Sequence, residues 1–281
     1  KRIKYNEELI YKRSSVAFKR MEKIKDLCNM ETVKVAFNFL KKHGLRALLR
    51  KSRSKIKGMD NDYEYTEWYE KTKPTKAELD AQRSEKFKNS PLFSIVIPLY
   101  ATPDNFLREL LDSILNQTYT NFEICLADGS DTGKDKEKFI KEYIEEKNTE
   151  KIKYKKIGKN LGIAGNTNEA LKMAVGDYIV LADHDDVITE NALYECAKAV
   201  NETGCDCLYS DEDKLDMDGG SLFDPHFKPD FNIDLLESVN YICHLFVVKK
   251  ELVEEAGMFD AEYDGAQDYD FIFRVTEKAK K

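Results

Sequence analysis

The segment Tyr178-Ile179-Val180-Leu181-Ala182-Asp183-His184-Asp185-Asp186 decides the fold, because an apolar run leads directly into three carboxylates within four residues. The run Tyr178–Ala182 is too short for a helix and predicts a buried strand, as does the similar run Phe93–Ile97. Ligands of a parallel sheet bind beyond the carboxyl ends of its strands. We therefore expect Asp183–Asp186, called the acidic turn below, to lie at the functional site.

Outward from this segment, short apolar runs alternate with stretches of helical periodicity. Thr102 is predicted to cap a helix whose first position is Pro103, and Thr189 to cap another helix after the acidic turn. The predicted strands are Phe93–Ile97, Phe122–Leu126, Ile152–Ile157, Tyr178–Ala182 and Cys207–Tyr209, and the helices between them end near Ile114, Lys147, Val175 and Val200. This alternation indicates an α/β fold, a mostly parallel sheet with helices on both faces.

The charge of the chain divides it into parts. Its net charge is −7, yet residues 1–60 hold eighteen Lys and Arg against six Asp and Glu. We interpret 1–60 as a basic helical extension, 61–90 as a linker with a short helix, and 91–281 as the α/β domain. The chain ends within a helical pattern at Lys281, so we expect the fold to continue beyond it.

The basic extension allows two interpretations. Its apolar residues at helical spacing would let it lie on an anionic membrane surface, where a lipid-linked substrate is found. The other interpretation, which we favour, is a helical extension that is solvated or packed against a partner. Stacking aromatics are not interleaved with its basic residues, so a nucleic acid is not an expected partner.

Composition excludes several other classes of protein. The sequence has no stretch of about 20 apolar residues that could span a bilayer and no apolar signal-peptide core. The six cysteines form no C-x-x-C pair and are typical of buried thiols in a reducing compartment. We therefore expect a cytoplasmic protein, with the inner face of the cell membrane as the place where the extension would act.

Two features carry candidate chemistry. Carboxylates crowded at a strand end repel one another unless a cation lies among them, so the acidic turn suits Mg²⁺ or Mn²⁺; a solvated loop or a helix cap is the alternative. Asp268 opens an apolar-periodic helix, where terminal amides would keep it ionised as a base or use it only as a cap. The histidines His184, His226 and His244 are more typical of core or surface positions than of ligands.

These features occur together in one known family. The carrying motifs are Phe93-Ser-Ile-Val-Ile-Pro-Leu-Tyr100, Ser113-Ile-Leu-Asn-Gln-Thr-Tyr119, Asp128-Gly-Ser130, Asn160-x-Gly162 with Asn168, the acidic turn and Gln267-Asp-Tyr-Asp270. From Ser90 to Lys281 the chain resembles family 2 glycosyltransferases of the Rossmann-like GT-A fold. Tyr209–Asp213 and Phe227–Asp230 resemble the bacterial rhamnosyltransferase and cell-surface polysaccharide branch.

The resemblance implies an inverting, metal-dependent transfer of a sugar from a UDP- or dTDP-sugar to a glycan or lipid-linked glycan acceptor. Asp268 would be the catalytic base, and Asp183 with Asp185 would hold Mn²⁺ or Mg²⁺ on the donor diphosphate. The implied nucleotide-sugar contacts are Pro98, Tyr100, Asp128, Asn160, Asn168 and Asp183, and the candidate donor- or acceptor-sugar contacts are Asp211, Glu212 and Gln267. Two positions depart from the family pattern: Ala127 replaces an acidic residue and Thr167 an arginine, for which Lys159 is a candidate substitute.

Two other functions remain open at this point. Asp183–Val187 also satisfies the D-x-D-x-[TV] pattern of haloacid dehalogenase-type phosphohydrolases, with Asp183 as nucleophile. That pattern belongs on the first strand of its domain, whereas several strand–helix units precede it here. A catalytically silent domain that binds a glycan or a protein partner is the other alternative.

Overall fold

The computed structural model describes residues 65–215 and 222–281 of the chain. The chain divides between Trp68 and Tyr69, and the fold below is that of the unit Tyr69–Lys281. The predicted basic extension lies outside the described residues. In the predicted linker, residues 65–72 are helical and a second helix, α1, spans Lys76–Ser84, where one short helix is predicted.

Within the described residues, six strands form one sheet and two form a separate hairpin. The strands are β1 (Phe93–Leu99), β2 (Phe122–Asp128), β3 (Ile152–Lys156), β4 (Tyr178–Leu181), β5 (Cys207–Tyr209), β6 (Glu212–Leu215), β7 (Leu222–His226) and β8 (Phe246–Lys249). The sheet order is β3-β2-β1-β4-β8-β5, and β6 pairs with β7. Strands β1 to β4 are parallel, and β8 is antiparallel to both β4 and β5. The predicted mostly parallel sheet is therefore confirmed.

The helices follow the predicted order, although their first residues differ from the predicted ones. They are α2 (Asp104–Leu115), α3 (Glu137–Lys147), α4 (Gly162–Leu171), α5 (Ala192–Thr203), α6 (Ile233–Ser238), α7 (Lys250–Ala256) and α8 (Gln267–Thr276). Neither predicted threonine cap forms: α2 starts after Pro103 and α5 after Asn191, both without a side-chain cap. Thr102 is instead buried beneath the start of α2. Among the described residues, no helix combines the length and apolar content needed to cross a bilayer.

The sheet is covered on both faces, which explains why its central strands are apolar without alternation. Phe93, Ile95 and Ile97 of β1 face one core cluster with α2, α3 and α5. Val96 faces the other cluster, which contains residues of α4, α7 and α8. The carboxyl ends of β1, β2 and β4 consequently meet at one edge of the sheet, where the sequence predicts the site.

A buried carboxylate fixes the opposite end of the sheet. Glu123 of β2 is 8% exposed, and its Oε1 accepts hydrogen bonds from Ser94 Oγ at 2.6 Å and from Val175 N at 2.8 Å. Its Oε2 lies 2.6 Å from Lys153 Nζ. Burial raises the pKa of Glu123, but the bonds from Lys153, Ser94 and Val175 outweigh burial and lower it below its ordinary 4.5.

We expect Glu123→Gln to lower the free energy of unfolding at pH 7 by about 1–3 kcal/mol, because a charge-assisted cluster loses its charge. The lowered pKa of Glu123 means that its stabilisation is present above pH 4.5 and is lost as the pH falls through the lower folded value. Urea unfolding at pH 7 and pH 3 measures both effects. Glu142→Gln, at an exposed position of α3, is the control. An equal loss of unfolding free energy at pH 7 and pH 3 in Glu123→Gln would contradict a contribution from the charge of Glu123.

Candidate active site

The antiparallel pairing of β8 with β4 creates the centre of the site. Its register places Leu181 opposite Phe246. Two residues further along, Asp183 leaves β4 where His244 enters β8, so the two side chains face each other. His244 Nε2 lies 3.3 Å from Asp183 Oδ2.

Asp186 completes this group. One side-chain ligand atom each from Asp183, Asp186 and His244 lie within 4.8 Å of one another. Asp185, predicted as the second metal ligand, lies outside this group: its side chain is 57% exposed and its Oδ1 lies 3.5 Å from His184 Nδ1. The structure therefore groups Asp183 with Asp186 and His244, whereas the sequence predicted that Asp183 pairs with Asp185.

The electrostatics of this Asp-Asp-His cluster follow from its contacts. The hydrogen bond with Asp183 raises the pKa of His244 to about 9, and the same bond lowers the pKa of Asp183 below its ordinary value. Burial raises the pKa of Asp186 to about 6. Among the described residues, the buried Nδ1 of His244 has no hydrogen-bond partner. Two carboxylates beside one imidazole form a donor set that a divalent cation can use.

Helix α2 braces the loop that follows the acidic turn. Ser113 Oγ accepts a hydrogen bond from Ile188 N at 3.2 Å. Gln117 donates from Nε2 to Thr189 O at 2.7 Å and accepts at Oε1 from Leu193 N at 2.9 Å. The motif that begins at Ser113 thus fixes the position of the acidic turn from outside the site.

A small cavity joins the cluster to the predicted base. It measures about 110 Å³ and is lined by Asp183, His244, Asp268 and other residues. Asp268 lies in the first turn of α8, and Asn240 Nδ2 donates to its Oδ2 at 2.9 Å. The cavity is smaller than the about 300–1,000 Å³ typical of small-molecule sites, so a nucleotide donor would extend beyond it.

Of the other predicted contacts, Pro98 and Gln267 also line this cavity. Tyr100 lies outside its lining and is 46% exposed, at the end of β1. A larger cavity of about 1,030 Å³ lies on the other side of the acidic turn and includes Asp185 and Asp186 in its walls. The larger space lacks Asp268, so the small cavity is the candidate reaction centre.

Asp128 has a structural role in this conformation. It is fully buried; its Oδ1 accepts from Ser130 N at 2.9 Å, and its Oδ2 accepts from Lys136 N at 2.7 Å and Tyr154 Oη at 2.9 Å. These bonds fix the turn after β2. With no exposed surface, Asp128 does not support the predicted contact with a nucleotide base here.

The two predicted asparagines also bind the chain itself. Asn160 Oδ1 accepts from Gly162 N at 3.0 Å and from Asn166 Nδ2 at 3.1 Å. Asn168 binds both backbone groups of Phe259, donating to its carbonyl at 2.8 Å and accepting from its N–H at 2.9 Å. Asn168 thereby ties α4 to the segment before α8 and has no amide atom directed at the cavity.

A carboxylate of the chain covers the start of α4. Asp264 Oδ1 accepts from Ala164 N at 3.0 Å. Gly162 has a φ of 77°, in the left-handed region that L side chains rarely adopt, so this position favours glycine. Asp264 therefore occupies one backbone amide at the start of α4.

The predicted sugar contacts Asp211 and Glu212 instead bind the chain beside the site. Asp211 Oδ1 accepts from Lys228 N at 2.7 Å. Glu212 pairs with His226 Nδ1 at 3.2 Å and with Lys228 Nζ at 3.3 Å, and it accepts from His244 N at 3.3 Å. Burial raises the pKa of Glu212, but its bonds with His226 and Lys228 lower it below the usual range.

Sequence reasoning placed Asp186 in the acidic turn without naming it as a metal ligand, and it did not assign His244 or Asn240 to the site. The signal for His244 was present: it directly precedes the apolar run Leu245–Val248, which forms β8. A polar residue at the start of a strand reaches the site only if that strand is antiparallel to its neighbours. The sequence pattern does not reveal strand direction, so His244 was given an ordinary core or surface role.

Comparison with known proteins identifies the family. The family model Glycosyl transferase family 2 matches residues 94–257, more than half of the chain. The chain therefore belongs to this family, as the motifs predict. The haloacid dehalogenase alternative does not fit, because Asp183 follows the fourth strand of the sheet in chain order and not the first.

Named relatives match the same part of the chain. The chain is 36% identical over 196 residues to protein y4gI of Sinorhizobium fredii, covering 69% of this chain and 21% of the relative. It is 31% identical over 215 residues to the O-antigen biosynthesis protein RfbC of Myxococcus xanthus, covering 76% of this chain and 17% of the relative. The chain thus spans about a fifth of the length of these relatives.

Solved structures share the fold. S. aureus TarS 1-349 aligns with a TM-score of 0.55 and 24% identity, covering 67% of this chain and 56% of TarS. TarS has been solved with UDP and with UDP-GlcNAc. The mannosyltransferase PcManGT from Pyrobaculum calidifontis, solved with GDP-Man and Mn²⁺, aligns with a TM-score of 0.51 and 18% identity, covering 70% of this chain and 57% of PcManGT.

We expect the imidazole of His244 in metal-free protein to titrate with a pKa of about 9. Asp183→Asn should lower the pKa of His244 by more than one unit, because the opposing burial effect then dominates. The Asp183–His244 contact should stabilise the fold fully below pH 6.5 and lose this contribution as the pH rises through about 9. Ring NMR during a pH titration measures the shift. Asp185→Asn is the matched control, and an equal fall in that variant would contradict the pairing.

Proposed function

We propose that this domain transfers a sugar from a nucleoside-diphosphate donor to a hydroxyl acceptor, with inversion at the anomeric carbon and with a bound divalent cation. The observation that carries the proposal is that Asp268 lines the same cavity as Asp183 and His244, two of the three members of the Asp-Asp-His cluster. Membership of glycosyl transferase family 2 supports the reaction class. The inverting course, the cation and the acceptor are parts of the proposal.

The Asp-Asp-His cluster fits a divalent cation. Two carboxylates and an imidazole offer ligand atoms within 4.8 Å of one another, and His244 Nε2 lies 3.3 Å from Asp183 Oδ2. The mixed oxygen and nitrogen donors suit Mn²⁺ better than Mg²⁺, which prefers oxygen ligands alone. When bound, the cation would neutralise the charge that develops on the departing diphosphate.

Asp268 would act as the general base. Its carboxylate takes the proton of the acceptor hydroxyl, which is a poor nucleophile until it is deprotonated. Asn240 donates to Oδ2 and leaves Oδ1 for the acceptor. A base that lies on the face of the sugar opposite the diphosphate allows one in-line displacement, so no covalent sugar–enzyme intermediate is required.

The donor and acceptor follow from the surroundings of the cavity and from the relatives. A nucleotide would extend from the cavity along Pro98 and exposed Tyr100, with a UDP- or dTDP-sugar as the proposed donor. UDP and UDP-GlcNAc bound to TarS support a uridine donor, and the name of RfbC supports a role in cell-surface polysaccharide synthesis. We propose a glycan or lipid-linked glycan as acceptor; membrane contact through residues 1–60 stays a prediction.

Asp268→Asn should abolish sugar transfer and leave nucleotide binding within a few-fold, because the amide keeps the shape of the carboxylate but cannot take a proton. A thermal-shift screen of nucleoside diphosphates and their sugars with Mn²⁺ first identifies the donor. Release of nucleoside diphosphate in the presence of glycan acceptors then measures turnover. Glu277→Gln, at the other end of α8, is the control. Transfer by Asp268→Asn at the wild-type rate would remove Asp268 from the role.

Asp183→Asn and His244→Gln should each weaken Mn²⁺ binding by at least about tenfold, since each removes one of three protein ligands. Asp185→Asn should change the affinity by less than about threefold, because its side chain points to solvent. Titration of free Mn²⁺ by electron paramagnetic resonance measures all three variants. A loss confined to Asp185→Asn would restore the pair predicted from the sequence. A wild-type protein that binds nucleoside diphosphates without any metal dependence would instead favour a catalytically silent domain.

A further inference from the structure

A buried lysine lies directly behind the candidate site. The side chain of Lys228, in the loop after β7, is 1% exposed. Its ammonium donates to the carbonyls of Ile242, at 2.6 Å, and of His244, and it pairs with Glu212 Oε2 at 3.3 Å. An ammonium has three N–H donors, and these three acceptors match them. The ammonium of Lys228 is therefore shielded from water, and all three of its N–H groups have acceptors within the protein.

The backbone of Lys228 is itself anchored. Its N–H donates to Asp211 Oδ1 at 2.7 Å. Glu212, which follows Asp211 in the sequence, accepts a hydrogen bond from His244 N at 3.3 Å. The acidic residues after β5 thus hold Lys228 and the segment 242–244 together. This arrangement gives a use to both acidic residues that sequence reasoning assigned to sugar contacts.

The segment that Lys228 holds supports both halves of the proposed reaction. At one end, Asn240 donates to Asp268 Oδ2 at 2.9 Å and accepts from Cys243 N at 3.3 Å. At the other end, His244 faces Asp183 at 3.3 Å. A displacement of this segment would move the imidazole and the orienting amide at the same time.

We propose that Lys228 is a positioning residue, which fixes segment 240–244 so that His244 meets Asp183 and Asn240 orients Asp268. The proposal rests on the proposed function for its catalytic meaning, but the placement of His244 can be tested without it. Lys228 is not among the residues that line the cavity; it acts through the two carbonyls and the carboxylate that it binds. Groups that orient a metal ligand from behind affect metal binding strongly without contacting the metal.

The test compares Lys228→Met with Lys249→Met. Lys249 lies at the opposite end of β8, where its Nζ binds Asp206 Oδ1 at 2.7 Å, and it is the matched control for loss of a partnered lysine. The first measurement is the ¹⁵N and ¹H NMR signature of the His244 ring in metal-free protein, assigned with His244→Gln. The second measurement is Mn²⁺ affinity, and thermal unfolding of both variants reports the general loss of stability.

We expect Lys228→Met to shift and broaden the His244 ring resonances and to weaken Mn²⁺ binding by at least about tenfold. Lys249→Met should leave both unchanged even where its melting temperature falls equally. Ring resonances of Lys228→Met that match those of Lys249→Met would overturn the proposal and leave Lys228 a purely structural residue.

A second variant keeps the proposal testable if Lys228→Met does not fold. Glu212→Gln keeps an acceptor oxygen for Lys228 but removes the charge, so it should shift the His244 resonances in the same direction by a smaller amount. Unchanged His244 resonances in Glu212→Gln would count against the proposal. Failure of the wild-type protein to bind Mn²⁺ would refute the cation site alone, because the metal-free NMR measurement still decides the role of Lys228.

Discussion

The direction of one strand brings the side chains of the candidate site together. Because β8 runs antiparallel between β4 and β5, its first residues lie at the sheet edge where the parallel strands end. The register that pairs Leu181 with Phe246 then brings Asp183 and His244 face to face. A parallel strand in the same place would present its last residues there and leave His244 at the other end of the sheet. The Asp-Asp-His cluster therefore exists because the sheet topology brings its residues together.

Once this pairing is made, rigid supports hold the two sides of the site. On one side, Ser113 of α2 and Gln117, just after this helix, bind the backbone after the acidic turn. On the other, Lys228 binds the segment that carries His244. A buried ammonium is tolerated only with full hydrogen bonding, so Lys228 favours one position of that segment over others. In both places, polar side chains outside the cavity fix the backbone of a segment beside it by hydrogen bonds.

The fold was predictable because the central strands are buried on both faces, which produces apolar runs such as Phe93–Ile97 that stand out in the sequence. The site was predictable in part. Asp183 and Asp268 could be proposed from the sequence because their place at a strand end and a helix start is visible locally. The proximity of His244 to Asp183 could not, because it depends on the register between β4 and β8, and no local pattern encodes a register.

Polar residues at this edge of the sheet differ in how many of their hydrogen bonds are made within the chain. Residues whose hydrogen bonds are all made within the chain support the fold, and the others can bind a ligand. Asp128 accepts three hydrogen bonds while fully buried, and Asn168 spends both ends of its amide on Phe259. Such residues match a ligand-binding motif in sequence, yet in the fold they fix turns and helix positions. The Nδ1 of His244 is buried without a partner among the described residues, and burial raises the pKa of the neighbouring Asp186. Asp128 and Asn168 are therefore already satisfied by the chain, whereas the Asp-Asp-His cluster offers carboxylate and imidazole atoms to a ligand.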